Sequence, residues 1–169
     1  WKKDHWEPAE ITSALGLESH TGWWNGVATG DFNNDGRIDI AATNWGLNWR
    51  RKPTSANPNR IYYGDMDGDG VTESIEAVHR QGRWQPERRF GILRAAIPII
   101  SERMTSFEQV GRSSVQQVFG DLLESASVRE VVEFRSMIFL NLESGMSATP
   151  MPAEAQWAPG FGVVAEDFD

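Results

Sequence analysis

Asp31-Phe32-Asn33-Asn34-Asp35-Gly36-Arg37-Ile38-Asp39 decides how the chain reads, because it recurs as Asp65-Met66-Asp67-Gly68-Asp69-Gly70-Val71-Thr72-Glu73 and begins again as Asp167-Phe168-Asp169. Each complete copy has oxygen-bearing side chains at positions 1, 3, 5 and 9 and glycine at position 6. Alternate side chains in such a loop converge on one cation, position 7 can add its backbone carbonyl, and the glycine permits the sharp turn. An all-oxygen donor set suits a hard cation, and the number of oxygens on a flexible loop favours calcium over magnesium.

The flanks of both loops read as strands. Trp23-Trp24-Asn25-Gly26-Val27-Ala28-Thr29-Gly30 leads into the first loop, and Ile38-Asp39-Ile40-Ala41-Ala42-Thr43 leads out. Pro58-Asn59-Arg60-Ile61-Tyr62-Tyr63-Gly64 and Thr72-Glu73-Ser74-Ile75-Glu76-Ala77-Val78 stand in the same places around the second. Short β-branched or small-residue runs on both sides of a glycine-containing turn predict hairpins. Two hairpins joined by the polar segment 48–57 predict a four-stranded antiparallel meander over residues 23–84, the size and connectivity of one propeller blade.

Outside this unit the texture changes. Residues 1–22 read as the end of a preceding blade and a connector. Residues 85–127 read as a helical insert: Phe90, Leu93 and Ile97 fall at helical spacing before Pro98. Thr105-Ser106-Phe107-Glu108 and Ser114-Val115-Gln116-Gln117 resemble capping boxes of two further short helices, and Gly120 reads as a C-cap. Residues 128–169 read as strands of a following blade: an apolar run at 131–141, a turn at Ser144-Gly145, and a strand at 161–165 before the third loop. The fold class expected is thus mainly β with a helical insert, built from blades of an incomplete β-propeller. The array is expected to continue beyond both ends, because the chain opens on Trp1 and the third loop stops at Asp169.

Composition sets the outer bounds. The 169 residues suffice for one domain with a real core, burying roughly 70% of the unfolded surface. The net charge of −8 argues against a nucleic-acid or anionic-membrane partner, which would need a basic stripe to replace counterions. Seven carboxylates crowd into the two complete loops, so without metal the loops should repel themselves. The absence of cysteine excludes disulfides, thiol catalysis and Cys-zinc sites, and no stretch approaches the roughly twenty apolar residues of a membrane-spanning helix.

The Asp-x-Asn/Asp-x-Asp-Gly-x-x-Asp/Glu loops between short strands resemble the FG-GAP/VCBS repeats of integrin-α-type β-propellers. Gly22-Trp23-Trp24-Asn25-Gly26-Val27, Asn44-Trp45-Gly46-Leu47-Asn48, Tyr62-Tyr63-Gly64-Asp65 and Pro152-Ala153-Glu154-Ala155-Gln156-Trp157-Ala158-Pro159 further resemble exported bacterial VCBS-repeat proteins that carry an ASPIC/UnbV region. The resemblance implies a calcium-stabilised propeller with an extracellular, periplasmic or cell-surface binding role rather than catalysis. By position it implies calcium ligands Asp31, Asn33, Asp35 and Asp39 with the Arg37 carbonyl, and Asp65, Asp67, Asp69 and Glu73 with the Val71 carbonyl. The literal Phe-Gly then Gly-Ala-Pro pattern is not reproduced, and Glu73 stands where aspartate is usual.

Rival readings leave distinct traces. An EF-hand or dockerin-like module fits residues 65–76, with Glu76 at position 12, but position 12 of the first loop is Ala42. That reading demands helices at 26–30 and 74–78. A glycan-binding or glycan-active module would use Trp24, Trp45 and Trp49 as stacking platforms, against the alternative that these rings pack between sheets. The carboxylates are spaced so regularly that each is accounted for as a ligand, which argues against acid and base roles. His5, His20 and His79 lack the context of a triad or zinc site. Arg88, Arg89, Arg94, Arg103 and Arg112 read as a solvated helical face interleaved with Glu87, Glu102 and Glu108. The partner expected is a protein or carbohydrate ligand met through the insert, with self-association through exposed strand edges.

Overall fold

The computed structural model of the chain describes residues 9–50 and 52–166. It is mainly β, with two antiparallel four-stranded sheets, a few short helices and, among the described residues, no closed barrel or propeller. The strands are β1 (Gly26–Gly30), β2 (Asp39–Thr43), β3 (Asn59–Gly64), β4 (Glu73–Arg80), β5 (Arg83–Pro86), β6 (Ser127–Val131), β7 (Met137–Leu142) and β8 (Gly145–Pro150). Between β5 and β6 lie α1 (Phe90–Ala96), α2 (Ile100–Arg103), α3 (Phe107–Arg112) and α4 (Val115–Phe119). The chain divides into two compact units, Trp1–Asn48 with Arg135–Asp169, and Trp49–Phe134. The third loop, Asp167-Phe168-Asp169, lies outside the described residues, as does His5.

Each loop does join a hairpin, but the two hairpins do not pair with one another. The expected meander over residues 23–84 is therefore corrected: β1 and β2 continue into β7 and β8, in the order β1-β2-β7-β8, while β3 and β4 lie in a sheet of order β5-β4-β3-β6. In the first unit β2 pairs with β7 through Ile40↔Phe139, Ala41↔Ile138 and Ala42↔Met137. This register puts Ala42, Met137 and Phe139 on one buried face, with Leu17, Trp24, Ile40, Met146 and Ala148 packed around them. Along the chain the first sheet is still a meander, with residues 49–134 inserted between its second and third strands. The helical insert ends at Ser125 and β6 begins at Ser127, whereas the division between the two units falls later, at Phe134/Arg135.

The apolar run at 131–141 hides this change of unit. Val131 ends β6, which pairs with β3, and Met137 begins β7. Between them a buried polar clamp turns the chain. The Ser136 backbone N–H donates to Gln156 Oε1 (2.9 Å), Gln156 Nε2 donates to the carbonyls of Ser136 (3.0 Å) and Met151 (3.1 Å), and Asn44 N–H donates to Ser136 Oγ (3.1 Å). The turn expected at Ser144-Gly145 does close the β7–β8 hairpin, through Leu142↔Gly145. The strand expected at 161–165 is not formed.

The insert is helical and supplies the core of the second unit. Phe90, Leu93, Ile97, Ile100, Val110, Val115, Val118 and Phe119 are buried in one cluster with Ile75 and Ala77 of β4. The spacing of Phe90, Leu93 and Ile97 marks α1 correctly, whereas α2 is a single turn too short to show a period. At α3 the cap is Ser106, whose Oγ accepts from Gln109 N–H (3.1 Å), rather than Thr105 with Glu108. Glu108 instead pairs with Arg112 at 2.9 Å. The box at α4 is formed as read, by Ser114 and Gln117.

Gly120 caps α4 at φ 56° and ψ −125°, a backbone region that side chains with a Cβ avoid. The Arg103 guanidinium lies against it, donating to the Phe119 carbonyl (2.6 Å) and pairing with Asp121. Gly120→Ala is expected to destabilise the second unit by about 1–3 kcal/mol in a urea melt, because it forces a strained backbone and displaces Arg103.

Candidate metal centre

The strand flanks and turn residues give both loops the same local conformation. Position 4 takes positive φ in each, at Asn34 (58°) and Gly68 (79°), and position 6 does so at Gly36 (82°) and Gly70 (86°). Asparagine is among the few residues with a Cβ that tolerate this region, so Asn34 can stand where the second copy has glycine.

Three hydrogen bonds then repeat residue for residue. Gly36 N–H donates to Asp31 Oδ2 (2.8 Å), as Gly70 N–H does to Asp65 Oδ2 (3.0 Å). Arg37 N–H donates to Asp35 Oδ1 (2.9 Å), as Val71 N–H does to Asp69 Oδ1 (2.8 Å). Phe32 N–H donates to Asp39 Oδ2 (2.8 Å), as Met66 N–H does to Glu73 Oε2 (2.8 Å). The longer Glu73 side chain therefore reaches the position that aspartate takes in the first copy. Position 9 is buried in both, with Asp39 0% and Glu73 6% exposed. The flanks are strands, not helices, which removes the EF-hand reading.

The second loop gathers its carboxylates. Oxygens of Asp65, Asp67 and Glu73 lie within 4.8 Å of one another, and among the described residues this is the acidic group compact enough to hold an ion. Two ligands of one calcium ion are bound at 2.3–2.6 Å, so they can stand at most about 5 Å apart. Asp67 Oδ1 is buried with no hydrogen-bond partner in the protein. A buried carboxylate oxygen without a donor is costly unless a cation faces it. The donor set and this orphaned oxygen both fit calcium. Asp69 completes the loop from a more exposed position, and Val71 is 60% exposed at position 7.

The first loop is closed differently. Asp31 accepts from Asp35 N–H (3.0 Å) as well as from Gly36, and Asn33 Oδ1 also accepts from Asp35 N–H (3.2 Å). Asp35 Oδ2 receives Asn33 Nδ2 (2.8 Å) and the Arg37 guanidinium (2.7 Å). The Arg37 N–H, the Asn33 amide and the Arg37 charge hold the Asp35 carboxyl below the usual carboxylate range. Asp39 spends its other oxygen on β7, where Asn141 N–H donates to Oδ1 (2.7 Å). Each residue read as a ligand thus falls in its loop, but the two loops lie in separate units instead of on one meander. The Arg37 side chain and Asn141 were not singled out by pattern, because the contacts that give them their roles span 104 and 102 residues of sequence.

Several of the aromatic and basic candidates make contacts within the chain. Trp24 stacks edge-on against Phe139 and donates Nε1–H to the His20 carbonyl (3.0 Å), and Trp45 meets Trp23 and Phe161 edge-on. Trp49 is 37% exposed. Arg88, Arg103 and Arg112 form ion pairs with Glu76, Asp121 and Glu108, and Arg94 lies over the Phe90 ring. Among the described residues no helix is long and apolar enough to cross a membrane. No family model, curated protein or solved structure matches the chain.

Proposed function

We propose that residues 65–73 bind one calcium ion through Asp65, Asp67, Asp69, Glu73 and the Val71 carbonyl, and that residues 31–39 are a second copy of the site. The observation that carries the reading is Asp67 Oδ1, buried and unpartnered beside Asp65 and Glu73. When bound, the ion supplies fixed positive charge. The residues themselves do the structural work: Glu73 and Asp65 tie the loop amides to the base of the β3–β4 hairpin, and Asp39 ties the first loop to β7.

On this reading the chain is a non-enzymatic FG-GAP/VCBS-type module of an exported protein, and its four-stranded sheets are blades of a larger propeller. Its role is adhesion or recognition of a protein or carbohydrate outside the cytoplasm. The strands β1, β8, β5 and β6 edge the two sheets, and such edges can pair with another chain. Calorimetric titration of calcium into chelator-stripped protein is expected to show saturable binding that Asp67→Ala weakens at least tenfold. Absence of bound calcium at millimolar free ion, checked by equilibrium dialysis, overturns the reading.

A further inference from the structure

The two loops share a fold but not a charge. Residues 31–39 carry three carboxylates and Arg37, a net charge of −2, whereas residues 65–73 carry four carboxylates and no basic residue, a net charge of −4. Position 3 is Asn33 in one and Asp67 in the other, and position 7 is Arg37 in one and Val71 in the other.

Arg37 turns this difference into structure. Its guanidinium lies 2.7 Å from Asp35 Oδ2, its Nε–H donates to the Asn141 carbonyl on β7 (2.6 Å), and Glu143 stands 3.9 Å away. The Arg37 and Asp35 side chains are 35% and 22% exposed, so water screens the pair only in part. Asn141 completes the brace, donating its N–H to Asp39 and its Nδ2–H to the Ile38 carbonyl (3.3 Å). The loop thereby has a positive charge of its own, pinned to the neighbouring hairpin and aimed at the carboxylate of position 5.

We propose that Arg37 is a tethered counter-cation: it keeps residues 31–39 folded without metal and competes with a divalent ion for Asp35, making this the weaker of the two metal sites. The inference rests on the calcium reading above, and it gives the two copies different duties. The second loop answers to the ion, while the first is a standing brace on β7.

Two measurements on the same proteins decide it. In chelator, amide hydrogen exchange at Gly36 and Asn141 is expected to be slower than at Gly70, and Arg37→Gln is expected to accelerate the first two about tenfold while leaving Gly70 unchanged. In calcium titrations, with Asp67→Ala present throughout to silence the second loop, Arg37→Gln is expected to tighten the remaining site about tenfold, because removing a like charge beside the ion favours it. Arg37→Lys, which keeps the charge, is expected to leave that site weak. Exchange at Gly36 and Asn141 unaffected by Arg37→Gln overturns the proposal, as does equal calcium affinity of the two loops in the wild-type chain. If no variant binds calcium, the metal reading and the competition both fail, and the exchange contrast in chelator still decides whether Arg37 acts as the brace.

Discussion

Calcium is expected to raise the unfolding free energy of the chelator-stripped second unit by about 2.7 kcal/mol when the free ion stands about 100-fold above its dissociation constant. An ion that binds the native loop and not the unfolded chain stabilises by mass action alone, so the gain should grow with the logarithm of calcium concentration. Asp67→Ala sharpens the test by reversing its sign between conditions. In chelator, Asp67 is one of three clustered carboxylates and has a buried, unpartnered oxygen, so its removal relieves repulsion and desolvation and should leave stability equal or slightly higher. In calcium the same change deletes a ligand, and the increment should largely vanish. Urea melts with and without calcium read both arms. A calcium increment that survives Asp67→Ala would place the ion elsewhere.

The hairpins, the helical insert and the ligand spacing were legible because each is a local property. Glycine at position 6, alternating oxygens and flanking β-branched runs lie within a few residues of one another, as do Phe90, Leu93 and Ile97 on one helix face. Strand order was not, because pairing is decided by contacts that no local pattern encodes. Nothing in residues 38–43 says that Ile40 will face Phe139 instead of a strand from the next hairpin. The stretch 131–141, apolar except for Glu133, Arg135, Ser136 and Asn141, likewise conceals a change of unit, since Val131 and Met137 are both buried and the turn between them is held by Ser136 and the distant Gln156. The inequality of the two loops fell between these cases. Arg37 and Asn33 stood in plain sight, but position 7 was read for its carbonyl, and its side chain acquires a role only when β7 arrives beside it.

Asp39→Ala is expected to cost the first unit about 2–4 kcal/mol even in chelator, because it deprives two backbone donors of their acceptor at a fully buried position. Phe32 N–H loses Oδ2, which holds the loop to the start of β2, and Asn141 N–H loses Oδ1, which joins the hairpin to β7. Asp39 itself is fully buried and both bonds are partly so, and the penalty is that of unmet donors more than of a lost charge. Asp39→Asn retains one acceptor oxygen but sets an amide NH2 against the other donor, so it should fall between wild type and alanine. The fluorescence of Trp24, packed on Phe139 in the same unit, reports the urea transition, and adding calcium should not restore the loss. A change below about 0.5 kcal/mol, the scale of an ordinary surface substitution, would show that the carboxylate does not brace the sheet. The contrast with Asp67 is the physical point. Both are acidic residues of one repeated loop, but Asp39 already has its donors within the chain, while Asp67 Oδ1 has none, so in chelator one removal should destabilise and the other should not.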